Sequence, residues 1–174
     1  LAFAVAINVE PDILIVDDIC VYGGTASGVI AAYSAKKMGK SVVLIEPGKY
    51  LGGMTTGGLG STDIGNKYAV TGLSRLFYRR IGTHYNKFEQ WTFPPSVAMQ
   101  EITRFVNDAN LDVLYLKRIV NAKVEERRIQ SITLEDSKDP KGKPLMQIRA
   151  KQFIDCTYEG DLMAKANVSY FVGR

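Results

Sequence analysis

The chain's apolar positions fall into blocks whose period shifts from strand to helix and back. Residues 18–22 form a short, nearly unbroken apolar run that closes on Gly23, the pattern of a strand buried on both faces. Residues 26–38 then place Val29, Ile30, Ala32, Tyr33 and Met38 at helical spacing and end at Gly39, a residue suited to a left-handed cap. The β-branched run SVVLIE, 41–46, follows as a second strand that ends in a carboxylate. Strand, helix and strand in about thirty residues make a βαβ unit, which predicts parallel strands joined by a right-handed crossover.

Further along, PPSVAMQEITRFVNDAN predicts a helix opened by proline, with Val97, Ala98, Ile102, Phe105, Val106 and Ala109 on one face and Glu101 as the polar exception. LDVLYLKRIVNAKVE and IQSITLED alternate in strand fashion around Glu126, Arg127 and Arg128, which predicts a β-meander. Residues 136–144 are polar and carry Pro140 and Gly142, and read as a solvated loop. Residues 152–156 return as a strand, followed by an acid–Gly–acid turn and another helix. The fold class is therefore α/β, a Rossmann-like domain with a parallel sheet and an added β-meander.

The turn between the first strand and the first helix, CVYGGTASGV, carries the chemistry. Its Gly23-x-Thr25-x-x-Gly28 pattern resembles G-x-G-x-x-G with threonine at the second glycine. Gly23 permits a sharp exit from the strand, Gly28 permits close packing of helix on sheet, and the free N–H groups at the helix start face an incoming diphosphate. Thr25 narrows the backbone's approach to the phosphates, and its hydroxyl offers a compensating hydrogen bond. Glu46 lies 23 residues beyond Gly23, at the carboxyl end of the second strand, where a carboxylate accepts ribose hydroxyls. A ribose 2′-phosphate would meet like charge there, which disfavours NADP.

A second glycine-rich run, PGKYLGGMTTGGLG at 47–60, has no apolar periodicity, and ordering so many glycines costs conformational entropy. It makes sense where a large ligand lies against its backbone, and this separates FAD from NAD.

Charge and composition narrow the partners. Twenty-two basic residues against eighteen acidic give a net charge of +4, but the basic ones are scattered as pairs, which gives no reason to expect a nucleic acid. No run is long enough to span a bilayer. Cys20 and Cys156 stand in apolar runs and read as small hydrophobes. His84 is the one histidine, which rules out a multi-histidine metal site within this chain, and its polar neighbours read as a surface turn. Glu159 and Asp161 could be paired carboxylates for acid–base work, but the better reading is that one of them caps the next helix. Residues 1–17 open on LAFAVA, which fits either the remnant of a secretory signal with an A-x-A-like site or a first strand.

The segments VYGGTASGVIAA, LIEPGKYLGGMTTGGLGSTDIGN, PPSVAMQEI and FIDCTYEGDLMAKANVSYFVGR resemble the amino-terminal part of the FAD-dependent oxidoreductase family, within the glutathione-reductase-like flavoproteins. The resemblance implies FAD as cofactor, with its diphosphate on Gly23, Gly24, Thr25, Ala26, Ser27 and Gly28. It implies the adenosine ribose on Glu46 beside Pro47, and the diphosphate, ribityl or flavin side on Gly52, Gly53, Met54, Thr55 and Thr56. It also places Ile119 against the adenine and Thr157, Gly160 and Asp161 near the cofactor. The resulting expectation is an incomplete FAD-binding domain over 18–174, a substrate domain beyond it, a small-molecule substrate, no assigned catalytic residue, and a periplasmic or secreted location if the leader reading holds. Two alternatives stay open: a secreted carbohydrate-directed enzyme of the kind labelled xanthan lyase, and a nucleotide-binding module without turnover.

Overall fold

The computed structural model describes residues 12–15, 18–142 and 145–173. Three layers stack on one another: helices, a parallel sheet, and a mixed sheet. The parallel sheet has the order β4 (Asp112–Tyr115), β3 (Val42–Glu46), β2 (Ile19–Tyr22), β8 (Gln152–Asp155). All three of its pairings are parallel. Helix α1 (Ala26–Lys37) makes the crossover from β2 to β3, as the βαβ pattern predicts.

The central strands are apolar without a break because both of their faces are covered. Val21, Val42 and Leu44 face Val29 and Ala32 of α1, Phe77 and Ile81 of α3 (Gly72–Thr83), and Ile102 and Phe105 of α4 (Pro95–Ala109). Cys20, Tyr22, Val43 and Ile45 point the other way, into a second core with Ile119, Ile132, Leu134 and Ile148 of the mixed sheet and Leu162 of α5 (Asp161–Lys165). The period of two along β2 and β3 thus divides one strand pair between two cores.

The mixed sheet runs β1 (Asp12–Ile15), β7 (Met146–Arg149), β6 (Arg128–Asp136), β5 (Lys117–Glu125). β5, β6 and β7 are the antiparallel meander, and Glu126 and Arg127 turn between the first two at φ 49° and 61°. Where the chain passes from the parallel sheet to the meander, the structure differs from the sequence reading. The run at 111–125 is two strands: Leu116, at φ 57°, breaks it, so that β4 joins the parallel sheet and β5 the mixed one. The break is held at both ends, the Leu116 N–H donating to Gly48 O and the Leu116 carbonyl accepting from the Ser137 N–H. Within the amino-terminal segment, Asp12–Ile15 is a strand that pairs in parallel with β7; the leader reading of residues 1–11 lies outside the described residues. Among the described residues no helix is long and apolar enough to cross a membrane.

Candidate functional site

The β2–α1 turn shows why small residues stand where they do. Gly23 has φ 100°, and a Cβ on it would lie 2.7 Å from the Cys156 carbonyl carbon. A Cβ on Gly28 would lie 1.9 Å from the Gly23 oxygen, so α1 sits against its own turn at a distance only glycine permits. The first turn of α1 carries no acid, while Lys36 and Lys37 occupy its last turn. That distribution complements the helix dipole at its carboxyl end and leaves its amino end free for an anion.

Thr25 is the N-cap of α1, its hydroxyl accepting the Gly28 N–H at 3.2 Å. It donates its single proton to Cys156 O at 2.8 Å, and it lies 2.8 Å from Ser27 Oγ, which must therefore be the donor in that pair. The expected hydrogen bond from Thr25 to phosphate thus finds its proton already committed. The residue instead fastens the start of α1 to the end of β8.

Glu46 closes the other side. Its Oε2 accepts the Gly24 N–H at 2.8 Å and its Oε1 accepts the Gly48 N–H, so one carboxylate ties the first glycine turn to the chain leaving β3. A carboxylate has roughly four lone-pair positions, and two remain for ribose hydroxyls. Tyr115, at the end of β4, has its phenol pushed above the ordinary value, first by burial and then by the Glu46 charge.

The second glycine run packs against the first. Gly52, at φ 93°, donates its N–H to Gly24 O at 2.7 Å. Thr56, on the single-turn helix α2 (Met54–Gly57), is buried and gives its hydroxyl to Leu51 O, closing the run from within. Met54 is half exposed. The third side is the turn after β8. Asp155, which the sequence reading passed over, accepts from the Thr157 N–H and hydroxyl through Oδ1 and from the Met163 N–H through Oδ2. Thr157 Oγ1 in turn accepts the Asp161 N–H. The start of α5 is therefore capped by Asp155 and Thr157 in place of Glu159 or Asp161, although Asp161 does bring its charge to the first turn. Gly160, at φ 70°, gives that turn its left-handed step.

These three sides enclose a cleft of about 250 Å³ at the carboxyl ends of β2, β3 and β8. Of the expected residues it brings together Gly23, Thr25, Glu46, Pro47, Gly53, Thr157 and Asp161, and it adds Tyr50, Tyr158 and Glu159. Ala26, Ser27 and Thr55 instead line a larger, mainly apolar cavity of about 480 Å³ on the flank of α1, with Phe77 and Ile102. Ile119 is set apart on β5, its side chain in the second core and its N–H donated to the Tyr22 hydroxyl at 2.9 Å. Burial pushes that phenol up to about 12.

His84 is less free than its polar neighbours suggest. Its Nε2 lies 2.7 Å from Oε1 of Glu101, the polar exception on α4, which is 3% exposed. Among the described residues no His, Cys, Asp and Glu cluster is placed to hold a metal ion.

The family model described as FAD dependent oxidoreductase matches residues 18–174. No curated protein matches the chain. Among solved structures, THI4 of Thermovibrio ammonificans superposes with a TM-score of 0.63 at 17% identity, over 89% of this chain and 64% of that one. A flavoprotein/dehydrogenase from Cytophaga hutchinsonii gives 0.60 at 17% identity, over 87% and 42%. L-proline dehydrogenase from P. horikoshii gives 0.53 at 18%, over 85% and 23%. The chain thus spans less than two thirds of each of these structures, and the likeness establishes the fold.

Proposed function

We propose, from the premise that this chain belongs to the FAD dependent oxidoreductase family, that it takes part in oxidising or reducing a small organic molecule by hydride or electron transfer through FAD bound at the cleft described above. The observation that carries this reading is the Glu46 carboxylate joined to both Gly24 and Gly48 at the mouth of a turn that only glycine can form. The donor set fits an adenine dinucleotide. N–H groups at the start of α1 meet the diphosphate. Glu46 receives ribose hydroxyls and repels a 2′-phosphate. Gly52 and Gly53, both at positive φ, let the second glycine run lie close against Thr56 and the Tyr158 hydroxyl beside the cleft.

When bound, the isoalloxazine supplies the electron acceptor and donor, and the protein supplies binding, orientation and electrostatics. Met54, Thr55 and Thr56 are the residues we assign nearest the flavin side, with Thr157, Gly160 and Asp161 along the opposite wall. None of the residues gathered at the cleft is assigned as a general acid or base.

Anaerobic titration of the FAD-loaded full-length protein with candidate donors such as amines, amino acids, hydroxy acids and sugars tests the reading. Loss of the oxidised flavin band with one donor class, restored by an electron acceptor, is the expected result. A protein that holds FAD but is reduced by no donor and reoxidised by no acceptor would be a passive binder, and the catalytic reading would fail.

A further inference from the structure

The wall of the cleft is acidic: Glu46, Glu159 and Asp161 line it, with no lysine or arginine among the lining residues. A diphosphate carrying two negative charges must therefore be met by neutral donors. Most nearby hydroxyls have spent their protons. Thr25 gives its proton to Cys156 O, Ser27 to Thr25, Thr157 to Asp155 and Thr56 to Leu51 O.

Tyr158 differs. Its hydroxyl accepts the Met54 N–H at 2.8 Å, from a residue 104 positions earlier in the chain, and its own proton has no acceptor among the described residues. The side chain is 56% exposed and forms part of the cleft wall with Gly23 and Thr25. Its position also explains Gly53, where a Cβ would fall 2.2 Å from the phenol oxygen. A phenol that accepts one hydrogen bond is polarised to donate a better one. Tyr50, the other tyrosine of the wall, is 72% exposed and held by no described hydrogen bond. It would have to be ordered before it could donate.

We propose that Tyr158 is a cofactor-binding residue that donates its hydroxyl proton to the diphosphate of FAD, held for that purpose by the Met54 N–H. The inference rests on the FAD reading of this cleft, and its test separates the two. Deflavinated full-length protein is titrated with FAD, ADP and adenosine, as wild type and as Tyr158→Phe and Tyr50→Phe. Hydrogen bonds to charged groups set the scale of the effect, and the exposure of the site puts it at the low end: about a tenfold weaker Kd for FAD and ADP in Tyr158→Phe. Adenosine binding should be unchanged, and Tyr50→Phe should stay within about twofold of wild type. An unchanged FAD affinity in Tyr158→Phe overturns the proposal, as does a tighter one, or an equal loss for adenosine. A wild-type protein that binds neither FAD nor ADP overturns the cleft assignment itself.

Discussion

Replacing Gly28 by alanine places one methyl group where the structure has no room. The new Cβ would stand 1.9 Å from the Gly23 oxygen and 3.2 Å from the Cys156 Cβ. A carbon and a carbonyl oxygen settle at roughly 3.3 Å, so α1 must withdraw from its turn by more than about 1 Å. The obstacle is the backbone of the buried turn that leaves β2, which cannot rotate away like a side chain, so the overpacking cost lies near the upper end of the usual range, about 3 kcal/mol. Alanine returns about 1 kcal/mol of helix propensity. The net loss is about 2 kcal/mol, which for a domain of this size lowers Tm by roughly 4–8 °C. The same displacement carries the N–H groups of α1 away from the diphosphate, and FAD affinity should fall about tenfold or more. Thermal melts of the deflavinated full-length protein and a fluorescence titration with FAD measure the two effects. Gly57→Ala is the comparison, since nothing lies within 4 Å of its would-be Cβ, and it should be close to neutral. Gly28→Ala with wild-type Tm and wild-type FAD affinity would refute the reasoning, because the turn would then tolerate what its geometry forbids.

Other outcomes follow from the same geometry. Glu46→Ala leaves the Gly24 and Gly48 N–H groups without their acceptor and removes the ribose contact, so FAD affinity should fall by about one to two powers of ten in the same titration. Thr25→Val loses a helix cap and orphans the Cys156 carbonyl, and should cost about 2 kcal/mol in urea unfolding. Burial lifts the Cys20 thiol to about 12, so at pH 8 it should resist a thiol-directed disulfide reagent until the chain unfolds. The Glu135 carboxyl is held below its ordinary value by the Lys141 N–H and then by Arg118. A depressed carboxyl contributes stability above the ordinary value of 4.5 that is lost as pH falls through its lower folded value, so Glu135→Gln should flatten the fall of Tm as pH drops below 4.5.

The frame of the candidate site was legible because it is built from local rules. The βαβ unit declared itself through continuous apolar strands, a glycine turn and an acid at the end of the second strand, each set by near neighbours in the chain. Helix α3 was equally available in Leu73, Leu76, Phe77 and Ile81, spaced as one helical face, although the sequence reading drew no helix there. What escaped depends on distant partners. The proton of Thr25 goes to a carbonyl 131 residues away, which no local pattern encodes. Glu101 looks misplaced on an apolar face until His84 is brought to it from α3. Leucine rarely adopts positive φ, so nothing at Leu116 marks the point where the chain leaves one sheet for the other. Asp155 reads as one more residue of a buried strand, and its capping of the next helix becomes visible only when the turn folds back on it.

The central claim is that this chain forms the FAD site of a flavoprotein. Acid release of bound flavin from the purified full-length protein, identified by chromatography and quantified against protein, tests it most directly. The account predicts FAD in equimolar amount, lost or sharply reduced in Glu46→Ala and Gly28→Ala. A colourless wild-type protein that takes up no FAD when supplied with it would contradict the account.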